Sequence, residues 1–450
     1  MIFGSPYVPT LLEISFVEIA VRICNVPETM AFMKVYGPVC FIFPSNELRA
    51  YINKEIPESS LQINLSLCMT EKKDMLIAQD PTKECWRTFV KFYDDFCSST
   101  DGFTLNNLPS TMWEVMVLKK ISCLDFPNSL RNKLMPIIRC ICLEIYRWYM
   151  EHEEETFGFE ILDIQKYFCW NSYGKIDRIK TAKSLINNES LSVSARYNLA
   201  RHYGFETDFL SLWDKMSIAE KDYAKHLGDP YGQRAWFEYG VTGTVENSIE
   251  ISQDAFGNPL NFRVFFSLLS PTQKVEWYKI FINFKVMDYA DVRFCLSLLE
   301  KNEQENILRE YSSKILQYYL VWPLQKEFLN VTKNVWPYMS IENYINLAKF
   351  IIFERILIGW KDFNYVGLMQ ELWRQTPDTF KELAKTDKVY QFILPVINCE
   401  QNKGFPKEGF LEKYKGKDLE FHHVGINCNL SRDLFLVNPI ADVIWTRVFY

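Results

Sequence analysis

Apolar residues recur every three or four positions along almost the whole chain, the period of a helix with one buried face. In the first such stretch Leu11, Leu12, Phe16, Ile19, Ala20 and Ile23 keep that period, and Thr10 stands three residues before Glu13. This spacing predicts a capping box, in which the threonine hydroxyl accepts from a free amide of the first turn and the glutamate reaches back to the threonine amide. Asn25 and Pro27 break the pattern, and Met30, Phe32, Met33 and Val35 predict a second, shorter helix that stops at Gly37 and Pro38. The two together make a helical hairpin.

The same punctuation returns further on. Ser192, Ser270 and Ser340 each follow a large apolar residue and precede a helical stretch carrying Tyr197, Trp277 with Tyr278, or Tyr344. Ser270 is the clearest, because Pro271 is pre-shaped for a first helical position and Gln273 has the reach to return to the serine amide. Ser217 with Glu220, and Thr376 with Pro377, predict further starts, and the stretches close on the bulky pairs Leu212-Trp213, Leu298-Leu299 and Leu372-Trp373. The three serines are spaced by two hairpins each, at about 35–40 residues per hairpin. On these residues the chain resembles the α-helical hairpin-repeat proteins in the broad sense, the α-solenoids that include HEAT, armadillo and ankyrin-like arrays, over residues 10–396. No consensus of a named repeat is present, and a non-repeat helical bundle fits the same spacing. The resemblance implies an all-α fold of irregular stacked hairpins, solenoid-like or a multi-helical array, and assigns no activity.

Two stretches leave the helical period. Residues 240–259, with Gly240, Gly243, Asn247, Gly257 and Pro259, predict an irregular loop between an N-terminal helical array (1–239) and a C-terminal one (260–396). Residues 397–450 carry Gly404, Pro406, Gly409 and Gly416, then the β-leaning stretches 419–426 and 434–437 and an aromatic ending with Trp445, Phe449 and Tyr450. They predict a short mixed or β-containing extension that caps the last helices.

Charge narrows the picture. Lys and Arg number 50 against 56 Asp and Glu in 450 residues, a net charge of -6, so nucleic acid is a disfavoured partner for the chain as a whole. The best basic stretch, residues 403–417, sets five lysines against Glu408 and Glu412 and reads as a solvated loop. Residues 134–150 and 344–360 are apolar, but Arg139, Glu144 and Arg147 in one and Lys349, Glu354 and Arg355 in the other are too costly for a membrane span. Both are expected inside protein. The opening residues include two prolines and no basic residue, and Glu13 and Glu18 interrupt the apolar run behind them, so no export signal is expected. Twelve irregularly spaced cysteines then read as reduced thiols serving as small core residues in a cytoplasmic or nuclear protein. The four Asn-x-Ser/Thr sequons, at Asn64, Asn188, Asn330 and Asn429, matter only on the secretory route.

No motif carries a specific chemistry. Neither glycine-rich phosphate loop is present, nor a Gly-x-Ser-x-Gly elbow. His422, His423, Cys428 and Cys399 lack the paired spacing of a structural zinc site; the two histidines are expected on opposite faces of a strand, with Cys428 in a turn. Cys140 and Cys142 point about 200° apart on a helix, one towards core and one towards a groove. Glu151, Glu153, Glu154 and Glu155, with His152 among them, read as a solvated helix end with ordinary acidities. Asp229, Arg234 and Glu238 read as an ion-pair network fastening a turn.

Aromatic residues are abundant, with 12 Trp, 24 Tyr and 34 Phe. Trp213, Trp277, Trp322, Trp336, Trp360 and Trp373 are expected to seal neighbouring hairpins, and a minority of Tyr and Trp to stand exposed as interface anchors. The expectation is therefore a non-catalytic intracellular scaffold that binds a partner protein along a curved helical surface. No catalytic, metal or cofactor-binding residue is assigned, no cofactor is expected, and neither partner identity nor oligomeric state is fixed. Two alternatives stand beside it. One is an enzyme with an unfamiliar all-helical site at the Asp229 to Glu238 cluster or the tail histidines, marked by a carboxylate and a histidine within about 3–4 Å. The other is a nucleic-acid-binding helical array, marked by a continuous basic inner face.

Overall fold

A computed structural model describes residues 7–46, 109–152, 164–226, 263, 266–284, 287–400, 405–406, 419–423, 426–430 and 444–445. The helix starts form as their spacing requires. At α1 (Leu11–Cys24) Thr10 Oγ1 accepts from the Glu13 amide at 3.3 Å while Glu13 Oε2 accepts from the Thr10 amide at 2.8 Å. Ser270 and Gln273 exchange the same two bonds, as do Ser217 and Glu220, and Ser192 and Ser340 each accept one amide of the helix they open. Thr376 with Pro377 directly precedes the next helix, which begins at Asp378, and the Thr376 hydroxyl also closes the helix before it by donating back to the Leu372 carbonyl at 2.8 Å.

The chain divides into two compact units. The first takes residues from both ends, 1–143 and 309–448. It holds α1, α2 (Pro27–Tyr36), α3 (Val39–Ile42), α4 (Pro109–Ser122) and the earlier part of α5 (Asn128–Glu151). Gly37 ends α2 with φ 59° and ψ -157°, a backbone conformation open essentially to glycine alone. α4 packs on α2 and α3. The α5 residues 136–143 are buried all round, which explains why Cys140 and Cys142 both face protein and neither a groove. Cys142 Sγ lies 3.5 Å from Cys24 Sγ. Arg139, on the same stretch, is accommodated by the Phe41 carbonyl, the Glu114 carboxylate and the face of Trp113 at 5.0 Å.

The second unit, residues 144–308 with the last two residues, holds the end of α5 and α6 (Arg178–Ile186), α7 (Val193–His202), α8 (Glu206–Lys215), α9 (Ile218–His226), α10 (Pro271–Phe284), α11 (Tyr289–Ser297) and the start of α12 (Lys301–Gln317). Within it α6 pairs with α7, α7 with α8, and α10 with α11. Trp148, Tyr197, Tyr203, Trp277 and Tyr278 are its largest fully buried side chains.

The later helices return to the first unit: the rest of α12, α13 (Phe328–Val335), α14 (Ile341–Ile351), a π-helical turn (Ile352–Leu357), α15 (Tyr365–Gln375), α16 (Asp378–Thr386) and α17 (Tyr390–Ile397). α12 kinks at Tyr311, where φ and ψ reach -120° and 15°. Buried Asn343 occupies the break. Its Oδ1 accepts from the Ser313 amide at 3.1 Å, and its Nδ2 donates to the carbonyls of Arg309 and Glu310 at 3.1 and 3.2 Å, supplying the partners that the kink removes. Glu13 of α1 is tied to this part of the chain by Lys326 Nζ at 2.6 Å, and it also accepts from Tyr7 Oη at 2.7 Å. Burial opposes its charge, but the bonds from Lys326, Tyr7 and Thr10 prevail and bring its pKa down to about 2.

The fold is all-α with a small antiparallel sheet near the C-terminus. That sheet is β1 (Leu419–His423), β2 (Ile426–Leu430) and β3 (Ile444–Trp445), in the order β1-β2-β3. The β-leaning stretch 419–426 thus belongs to two strands, with His423 opposite Ile426. Cys428, expected in a turn, sits in β2 opposite Phe421. Among the described residues no helix is long and apolar enough to cross a membrane. The loop expected at 240–259 and the β-leaning stretch 434–437 lie outside the described residues.

Candidate functional site

In the second unit Glu144, Arg147, Trp148, Glu151 and His152 recur at helical spacing along the end of α5 and so share one face. Glu144, fully buried, accepts from Lys175 Nζ at 3.1 Å, Arg178 Nη1 at 3.2 Å and the Ile176 amide at 3.2 Å. Glu151 receives the Arg178 fork, Nε at 2.8 Å and Nη2 at 3.1 Å, and Arg147 Nε lies 2.8 Å from it as a charge contact without hydrogen-bond direction. Burial disfavours both carboxylate charges, yet the surrounding cations overcome it: Lys175, Arg178 and Arg147 hold Glu144 far below the carboxylate range, and Arg178 and Arg147 bring Glu151 to about 2. Glu151 and His152 are therefore not a solvated helix end, and Glu151 does not keep an ordinary acidity. Arg178 and the buried ring of Tyr203 close over them; Glu153, Glu154 and Glu155 lie outside the described residues.

The His152 ring lies 4.1 Å from Trp148, stacked on it, with Nδ1 2.7 Å from the Trp148 carbonyl and Nε2 2.6 Å from Tyr203 Oη. A carbonyl only accepts, so Nδ1 carries the proton, and in the neutral ring Nε2 accepts from the tyrosine. Each carboxylate oxygen in this cluster already has a cationic partner. Its chemistry is fastening, joining α5 to the residues that open α6.

The first unit holds a different arrangement on its π-helical turn. π turns widen a helix by one residue and concentrate at functional sites. Here the turn presents Glu354 and Arg355 side by side. Glu354 Oε2 accepts from the His422 amide at 2.8 Å, and His422 Nδ1 lies 2.9 Å from the same oxygen without hydrogen-bond direction. Arg355 Nη2 donates to the His422 carbonyl at 3.1 Å, and its Nη1 donates to the Glu354 carbonyl at 2.9 Å. The buried guanidinium lies 4.4 Å from the Phe350 ring and 5.3 Å from that of Phe421, and Phe421 in turn lies 4.9 Å from Trp360. Beside it Asp362 Oδ2 accepts from Gln325 Nε2 at 2.6 Å, while its Oδ1 is buried without a partner. Burial raises the Asp362 pKa to about 6 despite the charge of Arg355. Tyr365, whose Oη donates to the Leu320 carbonyl at 3.1 Å, is pushed well above its ordinary value, chiefly by burial and then by the Asp362 charge.

Of the site candidates singled out in the sequence, His422 alone reaches this arrangement, beside Trp360, which was expected as a packing residue. Among the described residues no group of three His, Cys, Asp or Glu side chains is placed to hold a metal ion. Asp229, Arg234 and Glu238 lie outside the described residues, as does the basic stretch 403–417 apart from residues 405–406. Glu354, Arg355 and Asp362 were not anticipated, although two opposite charges inside the apolar stretch 344–360 were a usable signal. The expected exposed aromatics are absent from the described surface: every aromatic side chain whose burial is described is at least half-buried. The exposed large apolar side chains there are aliphatic, and four gather at the start of α1, where Val8 is 78%, Leu11 83%, Leu12 48% and Ile14 38% exposed. No protein-family model, curated protein or solved structure matches the chain.

Proposed function

We propose that the protein is a non-catalytic helical scaffold that binds a partner protein, with the first turn of α1 as an anchor. The observation that carries this reading is the aliphatic group Val8, Leu11, Leu12 and Ile14, four exposed side chains within seven residues. Single exposed leucines are ordinary; a cluster of this kind is the surface an apolar partner face covers. Glu13, among them, points inward and fixes the helix, so the outward side chains stand on a rigid base. Burying a large aliphatic side chain contributes about 1.5–3 kcal/mol. Association costs at least about 4 kcal/mol, so this turn serves as an anchor within a longer contact along the helical surface.

The polar clusters favour the same reading over an enzyme. The carboxylates of the α5 cluster are saturated with cations. The Glu354 and His422 contact, which has the separation of an acid–base pair, is already occupied in holding β1.

The test compares the full chain with its Leu11→Asp, Leu12→Asp double variant as bait in lysate of the native source, with nuclease and moderate salt. A protein retained by the parent and lost by a variant of equal melting temperature supports the scaffold. Equal capture by both removes the anchor, and recovery that vanishes with nuclease transfers the reading to nucleic acid.

A further inference from the structure

Glu354 and Arg355 grip the two main-chain groups of one residue, the amide and the carbonyl of His422, at 2.8 and 3.1 Å. Any residue but proline in an extended strand offers the same two groups, so these two bonds do not depend on the side chain at that position, and the His422 ring, with Nδ1 2.9 Å from the same Glu354 oxygen, adds to them. The adjacent side chain is read differently. Successive residues of a strand point to opposite faces, and Phe421 is fully buried against Trp360 and the Arg355 guanidinium. Main-chain bonds that give affinity, with a pocket that selects one side chain, are the two components of extended-peptide recognition.

Arg355 adds a second observation. It is buried, yet among the described residues no carboxylate lies within ion-pair distance of it; its partners are the carbonyls of Glu354 and His422, a longer contact of 3.5 Å to that of Leu320, and the faces of two phenylalanines. Of these partners, the His422 carbonyl and the Phe421 ring come from β1, the strand packed on the turn.

We propose that the π-helical turn, with Phe350 and Trp360, is a socket for an extended segment of a partner protein bearing an aromatic side chain, and that the chain's own Phe421 and His422 occupy it as a displaceable plug. This goes beyond the scaffold reading and does not rest on it, since it concerns a different surface and a ligand of defined chemistry. Occupation in cis lowers the apparent affinity for a ligand in trans by the fraction of time the socket stands open.

The probe is a fluorescent peptide of residues 417–427, titrated by anisotropy against the full chain and against its Phe421→Ala variant. The variant, whose plug lacks its ring, is expected to bind saturably and about tenfold or more tighter than the parent. The same peptide with alanine for phenylalanine is expected not to bind, and adding Glu354→Ala to the variant is expected to abolish binding. A Phe421→Ala chain of parental helicity that ignores the probe, or binds the alanine peptide equally well, overturns the proposal. Should that variant fail to fold, hydrogen exchange in the parent decides: excess probe is expected to speed exchange of residues 419–423, and unchanged exchange overturns the socket. A parent dimer that grows with concentration and is lost in Phe421→Ala overturns the assignment to a partner and gives the socket to a second copy.

Discussion

Replacing Glu144 by glutamine tests how the second unit is held together. The substitution keeps size and one acceptor oxygen but removes the charge facing Lys175, Arg178 and Arg147, and it turns an amide N–H₂ towards a cation. The carboxylate forms three hydrogen bonds, two of them with cationic donors. Bonds to charged groups contribute about 1.5–3 kcal/mol each, and breaking a buried ion pair from one side costs about 3–5 kcal/mol, so the second figure is the consistent expectation. Because the chain has two units, one unfolding midpoint would blend them. Hydrogen exchange read peptide by peptide separates them. In Glu144→Gln the peptides covering 144–152 and 175–186 are expected to exchange faster by about two to three and a half powers of ten, at 1.36 kcal/mol per tenfold, with 341–357 unchanged. Adding Lys175→Met is expected to restore part of the loss, since one uncompensated cation is removed. Acceleration of less than about tenfold would refute the account of this cluster as the fastening of α5.

Four further outcomes are expected. Burial keeps Asp362 protonated up to about 6 against an ordinary 3.8, so its contribution to stability is full below 3.8 and is lost as pH rises through 6. Asp362→Asn should therefore be more stable than the parent at pH 7.5, by up to about 3 kcal/mol read from hydrogen exchange of the peptides covering 352–365, with the difference closing towards pH 4. Asn343→Ala leaves one amide and two carbonyls unpaired at the α12 kink and should cost about 2–4 kcal/mol in urea unfolding, against near-neutrality if the kink were self-sufficient. Gly37→Ala meets no neighbouring atom within 4 Å, so its cost, about 1–3 kcal/mol by melting, is purely torsional. Site-resolved alkylation should label exposed Cys123 at least about a hundredfold faster than Cys24, which is buried with its pKa pushed well up.

What was legible in the sequence was local. A capping box is complete within four residues, so Thr10 with Glu13 and Ser270 with Gln273 could be read without knowing what lay across from them. The same holds for the helical period and for the stop at Gly37. The arrangements on the π turn and at the end of α5 join residues far apart in the chain: Glu354 meets His422 68 positions on, and Glu151 meets Arg178 27 positions on. With Arg178 out of view, a run of four glutamates reads as solvated. With β1 out of view, Glu354 and Arg355 are only charges that spoil a membrane span. The aromatics misled in another way. Their number suggested a surplus at the surface, but among the described residues packing between large rings, such as half-buried Trp336 against both Tyr344 and Phe380, takes up those whose burial is described.

The bond between Glu13 and Lys326 joins positions 313 residues apart. At a synthesis rate of about 5–20 residues per second, the glutamate emerges about 15–60 s before its lysine exists. During that interval the whole of 144–308 has been made, and that unit can close on residues already present. The opening helices cannot, because half of their unit has yet to leave the ribosome. A nascent chain therefore leaves α1 to α4 uncovered until α13 to α17 have been made.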